Sequence, residues 1–290
     1  MSETLWVGTT QKFQALVRPG VNVPVRQDGF SDGMSFENGG QFTVRSAAAA
    51  KVFGFNFGMK PVAEIAKWRN IRQGGFGSGL LYFADPMAFE SNMCPAQWAA
   101  PGLIEQDWPT IYDTAPTFAN TAANSYSQPL RSAVFSITQA ANTAPANGWS
   151  QLVIPVPPDM TLHLGVSGSA TGTGVVRAEG FNIAAGTSSG SALTLLSPTA
   201  STRLNKTFAG SSYDYVIVDL RRTSSAASTV TIVSMLAQLY VTGASPTLTG
   251  NHQPGEGHTG LRMVGWEETY APVSLRSAQF SLFEVGGWMK

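Results

Sequence analysis

The chain has 290 residues, 18 of them basic and 18 acidic, and its charged fraction of 12% is about half the usual quarter. That length holds one large or two ordinary domains, each able to bury its own core, and the lack of a basic excess argues against nucleic acid as a partner. A single cysteine, Cys94, excludes an intrachain disulfide or a thiolate zinc cluster and reads as a small buried hydrophobe.

The opening residues show no basic start followed by an apolar core, so no secretory signal is expected and synthesis in the cytoplasm follows. No charge occurs between Thr223 and Gly255. Even so, the apolar part, Val230 to Val241, is broken by Ser234 and Gln238 and falls short of the about 20 apolar residues that a spanning helix needs. No membrane insertion is expected, and the glycosylation pattern Asn205-Lys206-Thr207 carries no meaning in a chain that is not exported. Low charge leaves a surface prone to association, and burial in an assembly is the natural outcome.

In chain order, residues 1–40 alternate short apolar pieces with turn signals (Arg18-Pro19-Gly20, Asp28-Gly29, Asp32-Gly33, Asn38-Gly39-Gly40), which predict a small antiparallel sheet. Gln41 to Arg45 and Val52 to Phe57 continue it. In the second, Phe53, Phe55 and Phe57 alternate with smaller residues, the period of one buried face. Residues 61–73 predict the one clear helix: Pro61 suits its first turn, Val62, Ile65, Ala66 and Trp68 form a stripe, and Gly74 ends it. Lys67, Arg69 and Arg72 complement its C-terminal dipole. A strand over Leu80 to Ala84 stops at Asp85-Pro86 and feeds an ordered, aromatic connector through Pro101 that packs on the body.

From about Thr114 the composition turns to Ser, Thr, Ala, Gly and Asn. Short strands at Val134 to Thr138, Gln151 to Val156, Leu162 to Val166, Val175 to Glu179, Tyr213 to Leu220 and Thr229 to Val241 predict a β-sandwich of jelly-roll type. Gly260 to Tyr270 and Leu275 to Val285 predict a terminal hairpin, with Ala278, Phe280 and Leu282 on one side; the apolar end through Trp288 should dock. The fold class is therefore mostly β. An N-terminal β unit with one helix and the connector spans 1–113, a sandwich spans 114–250, and a hairpin over 251–290 docks back on the body.

The chemical patterns read as structure. Gly255 to Gly260 matches GxGxxG, but Pro254 precedes it, a strand follows it and Glu256 opposes a phosphate, so no cofactor is expected. Gly186 to Gly190 matches GxSxG without the strand and helix of a nucleophile elbow. His252, Glu256 and His258 carry metal-ligand chemistry in a loop whose spacing favours hydrogen-bonding or exposed roles, and no metal is assigned. His163 points away from Leu162 and Leu164, toward the surface. Glu267 and Glu268 face opposite ways in a strand, Asp28 and Asp32 sit in turns, and neither pair suits glycoside cleavage. No catalytic residue is assigned, and the chain reads as no enzyme. Trp149, Trp266 and Tyr270, with Trp288, are candidates for stacking on sugar rings, against a core or interface role.

Three stretches, LLYFADPMAFESNMCPAQWAAPG from Leu80, PGEGHTGLRM from Pro254 and FSLFEVGGW from Phe280, resemble the minor tail proteins of long-tailed, non-contractile bacteriophages of actinobacteria. Among these the architecture is most similar to the distal tail protein of the tail tip. The resemblance implies a structural virion component at the tail tip, its N-terminal unit forming a ring of copies, commonly a hexamer, around the tail axis. Implied partners are the tail tube protein, the hub and other tail-tip proteins and the tape measure protein. The sandwich would decorate the ring, and the alternative reading is a peripheral carbohydrate- or receptor-binding tail protein that contacts a host surface glycan.

Overall fold

A computed structural model describes residues 4–19, 25–28, 31–35, 41–45, 50–85, 92–95, 99, 117–122, 133–139, 148–188, 193–198, 204–244, 257–258, 260–271 and 274–285. The chain is mostly β, with several antiparallel sheets and one helix among the described residues. Strands β1 (Thr4–Thr9), β2 (Lys12–Val17) and β7 (Tyr82–Ala84) form a three-stranded sheet in the order β2-β1-β7. A four-stranded sheet brings together β3 (Val25–Asp28), β6 (Ala50–Pro61), β18 (Leu261–Tyr270) and β19 (Leu275–Glu284) in the order β18-β19-β6-β3. The late hairpin therefore hydrogen-bonds onto β6, Phe280 opposite Phe55 and Leu282 opposite Phe53.

Helix α1 (Val62–Arg72) follows β6 directly. It lacks a side-chain cap, but the Val62 amide donates to the Ser274 carbonyl at 3.1 Å, giving one orphan donor of its first turn a partner. Its buried face is Ile65, Trp68 and Ile71; Val62 and Ala66 of the predicted stripe are half-buried, since the stripe continues one turn further than the sequence suggests. The alternating phenylalanines behave as predicted: Phe53, Phe55 and Phe57 are buried with Phe280 and Trp68. Phe280 stacks on Phe55 at 5.1 Å and on Phe57 at 5.9 Å, and its ring lies 5.2 Å from that of Trp68.

The sandwich consists of β8 (Thr117–Ala122), β9 (Ala133–Gln139), β10 (Gly148–Pro155), β11 (Met160–Thr171), β12 (Gly174–Asn182), the short β13 (Thr187–Ser188), β14 (Leu193–Leu196), β15 (Leu204–Ala209), β16 (Tyr215–Arg222) and β17 (Ser228–Val241). One sheet runs β15-β11-β17-β9-β8; the other runs β10-β16-β12-β13, with β14 also on β12. Leaving aside β8 and β13, successive strands alternate between the sheets except for β12 and β14, which pair within one; the resulting orders β9-β17-β11-β15 and β10-β16-β12-β14 are those of a jelly roll. Inward residues of both sheets, among them Leu152, Ile154, Leu162, Leu164, Val216, Val218, Val230 and Ile232, form one core. Strands β14 and β15 escape the sequence reading because they are short and sit among Ser, Thr and Pro, with few alternating positions to register. Asp32, predicted in a turn, lies within β4 (Ser31–Ser35), where it and Gly33 pair opposite Val44 and Thr43; Asp28 is the last residue of β3, and Gly29, which would carry its turn, lies outside the described residues.

The connector continues a sheet edge. Strand β9 pairs with Ser228 to Ile232 of β17. Further along β17, the Met93 amide donates to the Ala237 carbonyl at 2.6 Å. Asn92, fully buried, donates its amide to the Met235 carbonyl (3.0 Å) and accepts from the Ala237 amide (3.0 Å) and the Cys94 amide (3.1 Å). One side chain thus stands in for backbone where β9 has ended. Gly257 explains part of the GxGxxG pattern: a Cβ there would lie 1.7 Å from the Met93 carbonyl oxygen, so the glycine permits the close approach of two backbones.

Cys94 is buried, and burial pushes its thiol well above the ordinary range. Because the thiolate is the reactive form, the folded chain should give no reaction with a disulfide reagent at pH 8 while the denatured chain reacts fully. Rapid stoichiometric labelling of the folded chain would contradict this placement.

Candidate functional site

The hairpin β18-β19 builds a groove beside α1. The alternation of β18 places Leu261 and Met263 toward the core, yet Trp266 also packs there. The register shifts between Val264 and Glu267, with Gly265 at φ 64°, a left-handed conformation that glycine tolerates at little cost. This bulge shifts the alternation by one residue, so Trp266, Glu268 and Tyr270 share the helix side. Glu267 turns the other way and accepts from Gln279 on the exposed face at 2.5 Å. The two adjacent glutamates therefore do face apart, as their strand position predicts.

On the helix side, Glu268 accepts from Arg69 Nε at 3.1 Å and from Arg69 Nη2, and Arg276 Nε lies 3.8 Å from the same carboxylate. Hydrogen bonding to Glu268 raises the Arg69 pKa further. The Arg276 guanidinium also lies over the Tyr270 ring, 4.2 Å from its centroid, as the cross-strand pairing of Tyr270 with Arg276 allows. Tyr270 is 68% exposed, while Trp266 is half-buried and stacks on Phe280 at 5.2 Å. Arg69, Arg72, Gln73, Trp266, Glu268 and Tyr270 line a groove of about 580 Å³, within the ~300–1,000 Å³ common for ligand clefts.

Two of the three aromatic candidates, Trp266 and Tyr270, are thus brought together, four residues apart on one strand. Trp149 belongs to β10, in the sandwich; its side chain, like Trp288, lies outside the described residues. The sequence reading missed Arg69, Arg72, Gln73 and Arg276 as lining or supporting groups. The cations of α1 carry a sufficient explanation in the helix dipole, and only the bulge at Gly265 reveals which aromatic residues they face.

His258 is buried, its ring stacked on Phe83 at 4.7 Å and its Nε2 3.2 Å from the Phe83 carbonyl, so of its two expected roles it takes the hydrogen-bonding one. His252 and Glu256 lie outside the described residues. His163 faces away from Leu162 and Leu164 but is half-buried rather than exposed, a consequence of its central strand, which is paired on both sides. Among the described residues no group of three His, Cys, Asp or Glu is placed to hold a metal ion, and no helix is long and apolar enough to cross a membrane. Thr187 and Ser188 of the GxSxG pattern form the short strand β13, not an elbow.

A smaller concavity of about 70 Å³ lies on the outer face of β10, β16 and β12. There Asp219 pairs with Arg221 at 2.6 Å and with Arg177 at 3.4 Å. Its Arg and acidic side chains balance, and its volume is a small fraction of a ligand cleft. No protein-family model matches the chain, and comparison with curated proteins returns no match.

Proposed function

We propose that the chain is a structural component of a phage tail tip, a distal or minor tail protein whose copies join in a ring between tail tube and hub. The observation that favours assembly is the ribbon of β4 and β5 (Gln41–Arg45). Its strands pair with each other, Ser31 opposite Arg45 and Ser35 opposite Gln41, and among the described residues they join no other sheet. An isolated two-stranded ribbon is marginal in water, and its unpaired edges are templates for another chain. Docking on a neighbouring copy would stabilise it. Repeated head to tail with a closing rotation, such a contact makes a ring.

The charged fraction of only 12% supports the same reading, since a sparsely charged surface is prone to association. Negative-stain microscopy of the purified chain, alone and with isolated tail tubes, tests it. Rings that cap tube ends are expected. A monodisperse monomer at high concentration that leaves the tubes bare would count against both assembly and position.

A further inference from the structure

We infer that the groove between α1 and β18 is a binding site for an anionic saccharide, a sugar ring on the open face of Tyr270 and a carboxylate or phosphate at Arg72. This site is independent of the ribbon and of the assembly reading. The groove and its rim hold Arg69, Arg72 and Arg276 against one carboxylate, Glu268, in a chain whose formal net charge is zero. Glu268 is already engaged by Arg69 and Arg276, so its role is to fix two guanidinium groups. Arg72 is exposed and has no acidic partner among the described residues, leaving its planar donor fork for an anion.

The aromatic side is equally prepared. Arg276 covers one face of the Tyr270 ring at 4.2 Å and holds it through a cation–π contact, while 68% exposure leaves the other face in water. A ring already held loses little rotamer freedom on binding and offers a flat apolar face to the C–H side of a pyranose. Gln73, on the same wall, donates and accepts at once, which matches a hydroxyl. Trp266, stacked on Phe280, gives the groove a rigid side.

Calorimetric titration of the full-length chain tests this with three probes: a glucuronate-containing tetrasaccharide, glucose 6-phosphate and the neutral maltotetraose. Either anionic probe should bind at least about tenfold tighter than the neutral one, a factor worth about 1.4 kcal/mol, and their ranking identifies carboxylate or phosphate as the preferred anion. Tyr270→Ala and Arg72→Gln should each weaken that binding about tenfold, and Arg72→Lys less; both positions are exposed, and the unfolding midpoint should stay unchanged. Equal binding of neutral and anionic probes, or no binding of any at about 10 mM, overturns the inference. So does an anionic affinity that neither substitution alters. Loss of self-association in Tyr270→Ala, with saccharide binding absent from the parent chain, would assign the groove to protein contact instead.

Discussion

Replacing Asn92 by Ala should lower the unfolding free energy by about 4 kcal/mol. The side chain serves three backbone partners, the Met235 carbonyl and the amides of Ala237 and Cys94, and it is fully buried. Alanine leaves all three unsatisfied where water does not reach, at about 1–3 kcal/mol for each orphaned group, with partial relaxation reducing the sum. Asn92→Asp keeps the shape and both acceptors but loses the donor to Met235 and buries a charge. Its neutral acid can donate, and burial raises its folded pKa above the unfolded value of about 3.9. The Asp variant should therefore lose stability as pH rises through that range and regain most of it near pH 3. Urea unfolding of the parent and both variants at pH 7 and pH 3, each compared at the same pH, checks the pair. A loss below about 1 kcal/mol in Asn92→Ala would show that the connector does not complete the edge of β17.

Phe280→Ala should cost a comparable amount, about 4 kcal/mol, within the ~3–5 kcal/mol range of buried phenylalanine truncations. This ring is 3% exposed and meets Phe55, Phe57, Trp68 and Trp266 at centroid distances between 5.1 and 5.9 Å. It is where β19, β6, α1 and β18 converge. Phe280→Leu, which keeps most of the volume, should cost about 1.5 kcal/mol or less. Because two tryptophans touch this ring, a fluorescence melt follows the change directly. An alanine variant that melts with the parent would mean that the late hairpin is not part of this core. Losses of this size are a large fraction of the ~5–15 kcal/mol that holds an ordinary domain folded.

The parts of the fold legible in the sequence are those where one physical signal dominates. Phe53, Phe55 and Phe57 announce their shared face by strict alternation, and Pro61 and Gly74 bracket the helix. Leu162, Leu164 and Val166 do the same for β11, and the sandwich class follows from its longer strands, while β14 and β15, which complete the jelly-roll order, leave no such signal. Features that depend on distant partners leave no such trace. Nothing near Asn92 reveals that its amide will complete a strand at Met235 and Ala237. The bulge at Gly265 is set by pairing with β19, so Trp266 and Tyr270 could be named as aromatic candidates while their arginine neighbours could not. That β4 and β5 join no other sheet among the described residues is likewise not written in their own sequence.

If this chain works by contact with its own copies, the ribbon is the part whose removal should abolish that contact. Asp28 and Ala50 are opposed in the β3–β6 ladder, so residues 29–49 can be replaced by Asn-Gly, a turn suited to a two-residue hairpin, without disturbing either strand. Mass photometry and sedimentation of the parent and the shortened chain, at equal micromolar concentration, read the outcome. A closed oligomer is expected of the parent and a folded monomer of the shortened chain; a monomeric parent, or a shortened chain that assembles as well as the parent, would show that the ribbon does not join copies.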